Sequence, residues 1–197
     1  MSKRILETLF DSRARVRLLR FLFRNYPQHF TIKELVDRLQ EDRPTIKKEI
    51  ERFAQISLLA KVRTKNGNGQ EVYALNGEFQ FIQELRDLIL KSSPAEKEEI
   101  TSRLNKIGRI KLAVVAGSFL DWENPQNTPT DLLVVTDDLD RRKFGNFLKY
   151  LEAETGGEVR FVVMEKDEFS YRLSMFDRFV RVLLEGPHEK LINKLGV

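Results

Sequence analysis

The sequence predicts an α+β protein in two parts, and three observations carry that prediction. Over residues 12–56, apolar side chains recur at helical spacing in three runs separated by breaking and capping residues. Residues 60–74 then switch to a period of two around Asn66, Gly67, Asn68 and Gly69, the pattern of a β-hairpin. From Leu112 onward, apolar runs of strand length alternate with amphipathic stretches of helix length, as in a small mixed sheet covered by helices.

Charge follows the same division. Residues 1–77 hold 16 Lys and Arg against nine Asp and Glu, a net +7, and residues 78–197 hold 18 against 21, a net −3. A basic head on a near-neutral body is the distribution expected of a nucleic-acid-binding protein. With 41% hydrophobic and 32% charged residues the composition is that of an ordered soluble chain. It has no cysteine, which excludes disulfides and thiolate metal sites and suits a reducing cytoplasm. His29 and His188 stand far apart, so no histidine metal cluster is expected and each reads as a surface or partly packed imidazole. Glu7 and Asp11 interrupt the first segment, which therefore does not read as a signal peptide, and no run approaches the ~20 apolar residues that cross a bilayer. The expected location is cytoplasmic, with no membrane partner.

The first helix of the head is predicted over residues 12–25, where Val16, Leu18, Leu19, Phe21, Leu22 and Phe23 cover much of its circumference. Arg13, Arg15, Arg17, Arg20 and Arg24 decorate the remainder and read as a solvated face, with phosphate contact as the alternative. Pro27 breaks this helix, and His29 and Phe30 form a short extended piece. Thr31 and Glu34 then make a capping box, and Ile32, Leu35, Val36 and Leu39 carry a second helix to about Leu39. Glu41 and Asp42 form a turn. Asp42 and Pro44 supply start chemistry for a third helix, in which Ile46, Ile50 and Phe53 share an apolar stripe. Its opposite side carries Thr45, Lys48 and Arg52, flanked by Lys47 and Glu51.

In the hairpin that follows, Lys61, Arg63 and Lys65 alternate with Ala60, Val62 and Thr64, so the three cations share one face. Asn66 to Gly69 supply a turn able to take positive φ, and Val72, Tyr73 and Ala74 return as the partner strand. Two short helices joined by a tight polar turn and followed by a basic hairpin make a winged helix-turn-helix, whose second helix enters a major groove while the hairpin reaches neighbouring phosphates. The expected DNA-binding residues are Arg43, Thr45, Lys47, Lys48, Arg52, Lys61, Arg63 and Lys65, with Thr45, Lys48 and Arg52 toward bases and Lys47 and the hairpin cations toward phosphates.

Beyond the hairpin, Phe81, Ile82, Leu85, Leu88 and Ile89 predict an amphipathic helix ending near Ser92, Ser93 and Pro94, and Ala95 to Lys106 a charged one closed by Gly108. These give three divisions: residues 1–77 as a winged-helix DNA-binding domain, 78–107 as connecting helices, and 108–197 as a second domain. In the second domain, Leu112 to Ala116, Leu132 to Val135 and Val159 to Met164 read as strands and Arg141 to Thr155 as a helix. Phe176, Phe179, Val180, Leu183 and Leu184 read as a last helix, stopped by Gly186 and Pro187 before a short strand at Leu191 and Ile192.

The stretch from Val115 to Asp131 carries a resemblance. An apolar strand, Gly117 and Ser118, a loop of about a dozen residues, and then Asp131, Leu132, Leu133 and Val134 resemble the nucleotidyltransferase superfamily. That resemblance implies that the Gly-Ser turn admits nucleotide phosphates, and that acids on the following strands bind divalent metal, which clamps the attacking and leaving oxygens. Gly117, Ser118 and Asp131 are therefore the possible nucleotide-binding residues. The sequence departs from the pattern where catalysis needs it: Pro129 stands at the partner acid's position, and Arg160 or an apolar neighbour at the third. Asp121 and Glu123 are loop acids able in principle to substitute. The expectation is a catalytically degenerate domain with no catalytic residues, no metal and no cofactor, and hence not an enzyme.

Nearly the whole chain is similar to a recurring bacterial and archaeal architecture, a winged helix-turn-helix followed by a degenerate nucleotidyltransferase-like domain, described as a transcriptional regulator. Phe10 to Asn25, the hairpin, Arg109 to Val135, and the Asp177, Arg178, Phe179 and Gly186, Pro187 ending carry that likeness. It implies double-stranded DNA as partner, a homodimer, and sensing of a nucleotide or protein effector. The alternatives are an active nucleotidyltransferase using ATP and magnesium, and a non-catalytic interaction module.

Overall fold

The computed structural model describes residues 2–63, 71–92, 97–121 and 124–197, with side chains from Ile5 onward and not that of Arg63. The protein is mixed α and β and divides into two compact units. The first comprises Met1–Pro94 with Glu152–Gly157, the second Ala95–Leu151 with Glu158–Val197.

In the first unit, α1 (Ser2–Phe10) and α2 (Arg13–Arg24) precede α3 (Ile32–Leu39) and α4 (Arg43–Gln55). The hairpin β1 (Leu59–Arg63) and β2 (Glu71–Leu75) and then α5 (Ile82–Lys91) follow. Ser12 caps α2 by accepting from the Arg15 amide, and Thr31 and Glu34 form the reciprocal box that opens α3. The turn between α3 and α4 is three residues long, with Gln40 in the left-handed region at φ 54°. Leu18, Leu19, Leu22, Leu35, Leu39, Ile46 and Ile50 are all but inaccessible and form the core under that turn. β1 and β2 pair antiparallel with Val62 opposite Val72, and Phe30 adds an isolated bridge to Tyr73.

The α2 arginines correct both readings of them as a solvated or phosphate-facing row. Arg17 and Arg20 are buried, and they and Arg13 converge on Glu154, itself fully buried in the same unit. Arg17 donates through Nε to Glu154 at 3.0 Å and through a terminal nitrogen to Glu41 at 2.6 Å and to the Leu39 carbonyl at 3.3 Å. Arg20 reaches the Glu154 carbonyl at 2.9 Å, and burial pushes its guanidinium down to about 10 against the opposing Glu154 charge. Arg15 pairs with Glu49 of α4. The arginines therefore tie α2 to the α3–α4 turn and to α4. Gly156, at φ 77°, lies so close to Phe21 that an added Cβ would fall 2.8 Å from its amide nitrogen, which explains a glycine beside this network.

The second unit is built on a mixed four-stranded sheet in the order β5-β4-β3-β6. Its strands are β3 (Leu112–Ala116), β4 (Leu132–Val135), β5 (Phe161–Met164) and β6 (His188–Asn193). β3 pairs antiparallel with β4 and β6, and β4 runs parallel to β5. Both faces of the central strands are covered, which is why they read as unbroken apolar runs without alternation. Ala113, Val115, Leu132 and Val134 pack against Ile100 and Leu104 of α6 (Lys97–Leu104) and against Phe144, Phe147 and Leu151 of α7 (Arg141–Thr155). Leu112, Val114, Leu133 and Val135 pack against Phe169 of α8 (Lys166–Ser174) and Val180 and Leu183 of α9 (Arg178–Glu185).

Two expectations need correction here. Phe176 does not open the last helix: it precedes α9 with φ 53° and is 80% exposed, because Asp177 caps the helix by accepting from the Phe179 and Val180 amides. The third strand begins at Phe161, since Val159 packs in the core just before it. α1 and α8 have no counterpart in the sequence reading. Pro94, Ala95 and Glu123, and the hairpin turn Asn66 to Gly69, lie outside the described residues.

Candidate functional site

The exposed face of α4 is fixed from its first turn. Asp42 accepts from the Thr45 amide at 2.8 Å and from the Thr45 hydroxyl at 2.9 Å, and these bonds, the amide first, hold its carboxyl below the usual range. Thr45 is thus half-buried in the cap with its hydroxyl proton committed, which leaves only acceptor capacity for an outside group. Ile46, Ile50 and Phe53 seat the other side of the helix in the core.

Arg43, Lys47, Lys48 and Arg52 are exposed. Lys47 stands 3.7 Å from Glu51, an exposed pair of the kind that is easily exchanged for another anion. Neither Arg43 nor Lys48 has an ion-pair partner among the described residues. Arg52 is tethered: a terminal nitrogen donates to Glu49 Oε1 at 3.3 Å. In the hairpin, Lys61 is exposed and pairs with Glu71 at 2.6 Å, diagonally across the two strands. The Arg63 side chain and all of Lys65 lie outside the described residues. The sequence reading overlooked Glu49. Its signal was a carboxylate on the edge of the apolar stripe between Ile46 and Ile50, where an unpaired charge is not tolerated.

The Gly117, Ser118 and Asp131 constellation is brought together, and Arg160 closes on it. Asp131 is 1% exposed and its carboxylate receives five donors. The Ser118 amide and hydroxyl reach Oδ1 at 2.8 and 3.0 Å, and an Arg160 terminal nitrogen reaches it at 2.9 Å. The Arg160 amide and Nε reach Oδ2 at 2.9 and 3.0 Å. Arg160 also donates to the Thr128 carbonyl at 3.0 Å and the Pro125 carbonyl at 2.5 Å.

Gly117, at φ 49°, makes this packing possible. A Cβ there would lie 2.2 Å from Asp131 Oδ1, 2.7 Å from Thr128 Oγ1 and 2.9 Å from the Arg160 guanidinium. Burial pushes the Asp131 carboxyl up, but the hydrogen bonds from Arg160 and Ser118 outweigh it and hold the group below its ordinary range. The same contact raises Arg160, against the smaller effect of its own burial. The Gly-Ser turn therefore cradles the protein's own carboxylate, and the Arg160 guanidinium closes on that carboxylate.

The residues present do not fit a two-metal nucleotidyl-transfer centre. Pro129 contributes no ligand, Arg160 brings positive charge, and Asp131 has both oxygens bonded to it. Asp121 accepts from the Asn124 amide at 3.1 Å as a local turn group. Among the described residues no group of three His, Asp or Glu side chains is placed to hold a metal, and no helix is long and apolar enough to cross a membrane. Comparison with known proteins found no family model, no curated protein and no solved structure that matches the chain.

Proposed function

We propose that the protein is a DNA-binding regulator that docks α4 in a major groove and the β1–β2 hairpin on the flanking backbone, in the manner of a winged helix-turn-helix. The observation that carries this reading is the exposed face of α4. Arg43 and Lys48 stand without ion-pair partners among the described residues beside Lys47 and a tethered Arg52, on a helix whose opposite side is locked into a core. Free cations on a rigid helix gain most from a polyanion, because neutralising phosphates releases the counterions held along the duplex. Lys48 and Arg52 are the base-facing candidates, and Arg43, Lys47 and Lys61 the phosphate-facing ones, joined by Arg63 and Lys65 on the sequence pattern alone.

On this reading a homodimer addresses two half-sites. Ile5 and Leu9 on α1 and Phe81 and Leu88 at α5 are among the exposed apolar side chains of the first unit, and a second copy would cover them. The second unit, read as a degenerate nucleotidyltransferase-like domain, serves as a non-catalytic sensing or interaction body. The Asp131–Arg160 pairing weighs against both nucleotidyl transfer and phosphate binding at Gly117 and Ser118. Selection from a random duplex pool tests the proposal. Enrichment of a two-fold-related sequence supports it, and an output indistinguishable from the input pool, with no retention at low salt, refutes it.

A further inference from the structure

We infer that Glu49 sets the sequence specificity of α4 by holding Arg52 in a fixed pose, an inference that rests on the DNA-binding reading above. Glu49 is 3% exposed although it lies on the helix that carries the candidate base-reading residues. Its Oε2 accepts from Arg15 Nε at 2.7 Å. Its Oε1 accepts from an Arg15 terminal nitrogen at 3.3 Å, from the Ser12 hydroxyl at 3.4 Å and from Arg52 at 3.3 Å. Arg15 is itself anchored, since it also donates to the Phe10 carbonyl. One carboxylate thus joins the start of α2 to the outer face of α4.

The consequence for Arg52 is conformational. A free arginine loses substantial rotamer entropy when it settles on a base edge, whereas one held along a single edge of its guanidinium has already lost part of it. The bond to Glu49 uses one terminal nitrogen and leaves Nε and the other nitrogen, the donor pair suited to a guanine O6/N7 edge. Arg15 cancels the Glu49 charge, so the tether does not repel an approaching phosphate backbone. Glu49 is therefore a positioning residue: it touches no base and acts through Arg52.

The test is a double-mutant cycle read as the ratio of affinities for the selected duplex and for random duplex. Glu49→Gln should lower that ratio about two- to ten-fold, the range set by ordering one rotamer-rich side chain on binding, and leave random-duplex affinity intact. In an Arg52→Ala background Glu49→Gln should change the ratio by less than two-fold, because the residue it positions is gone. Arg52→Lys, which leaves the Arg15–Glu49 pair untouched and keeps the charge but not the fork, should reproduce the single-variant loss even if Glu49→Gln folds poorly. An equal effect of Glu49→Gln with and without Arg52, or an Arg52→Lys variant with full specificity, overturns the inference while duplex binding stands. Failure of the unaltered protein to bind any duplex overturns the DNA reading, and this inference with it.

Discussion

Asp131→Asn is the sharpest perturbation of the second unit. An asparagine fits the space but offers one carbonyl oxygen where the carboxylate offered two. Placed with that oxygen toward Ser118, it turns its NH2 on the Arg160 amide and Nε, which donate at 2.9 and 3.0 Å. Two charge-assisted bonds are lost, worth about 1.5–3 kcal/mol each when dry. The Arg160 side chain is 44% exposed, so water takes over part of its interaction and the figure must be discounted. A loss of about 2–4 kcal/mol at pH 7 remains, or a fall in Tm of about 5–15 °C for a chain of this length.

Urea unfolding followed by circular dichroism is the assay. The pH dependence has a definite sign. The Asp131 pKa is lower in the folded protein than its ordinary 3.8, so its stabilisation is present above that value and lost as the pH falls through the folded-state pKa. The gap between Asp131→Asn and the parent protein should therefore hold from pH 7 to about pH 4 and narrow below it. A variant within ~0.5 kcal/mol of the parent at pH 7, or a gap that persists unchanged in acid, would refute the ion-pair account.

Three further outcomes follow from the same geometry. Gly117→Ala should destabilise the second unit by about 3 kcal/mol or more, since it adds left-handed strain to a clash with Asp131; an unchanged urea midpoint contradicts this. Glu154→Ala leaves buried Arg17 and Arg20 without their shared counter-charge and should lower stability by about 3–5 kcal/mol, measured by circular dichroism of the helical first unit; a neutral result would return the α2 arginines to a solvated role. Arg52→Ala should weaken binding to a selected duplex by ~1–3 kcal/mol and spare random duplex, as read by competition titration, and equal loss on both would remove its base-reading role.

Local features were legible in the chain, and long-range charge was not. The Thr31–Glu34 box, the Asp42 start and the Ile46, Ile50, Phe53 stripe are encoded within a few residues of where they act, and the structure forms each of them. The apolar runs at Leu112 and Leu132 announced strands covered on both faces, although the order of the four strands depends on pairings far apart in sequence. The α2 arginines were opaque because their partner Glu154 is more than 130 residues away, and nothing local to either marks the pairing. Arg160 was visible as a departure from an acidic pattern. That it closes on Asp131 became clear only with Gly117 making room between them. α8 escaped notice because only Phe169 among its residues is buried, too little to set a period.

The central claim, that α4 is a surface for duplex DNA, is tested most directly by fluorescence anisotropy of a labelled duplex across a salt series. Each phosphate neutralised contributes about 0.9 to the slope of log affinity against log salt. The unaltered protein should bind at low salt with a steep slope, and Arg43→Gln with Lys47→Gln, which removes two phosphate-facing cations, should flatten it by about 1.8. An unaltered slope in that double variant, or no binding in dilute buffer, would contradict the account.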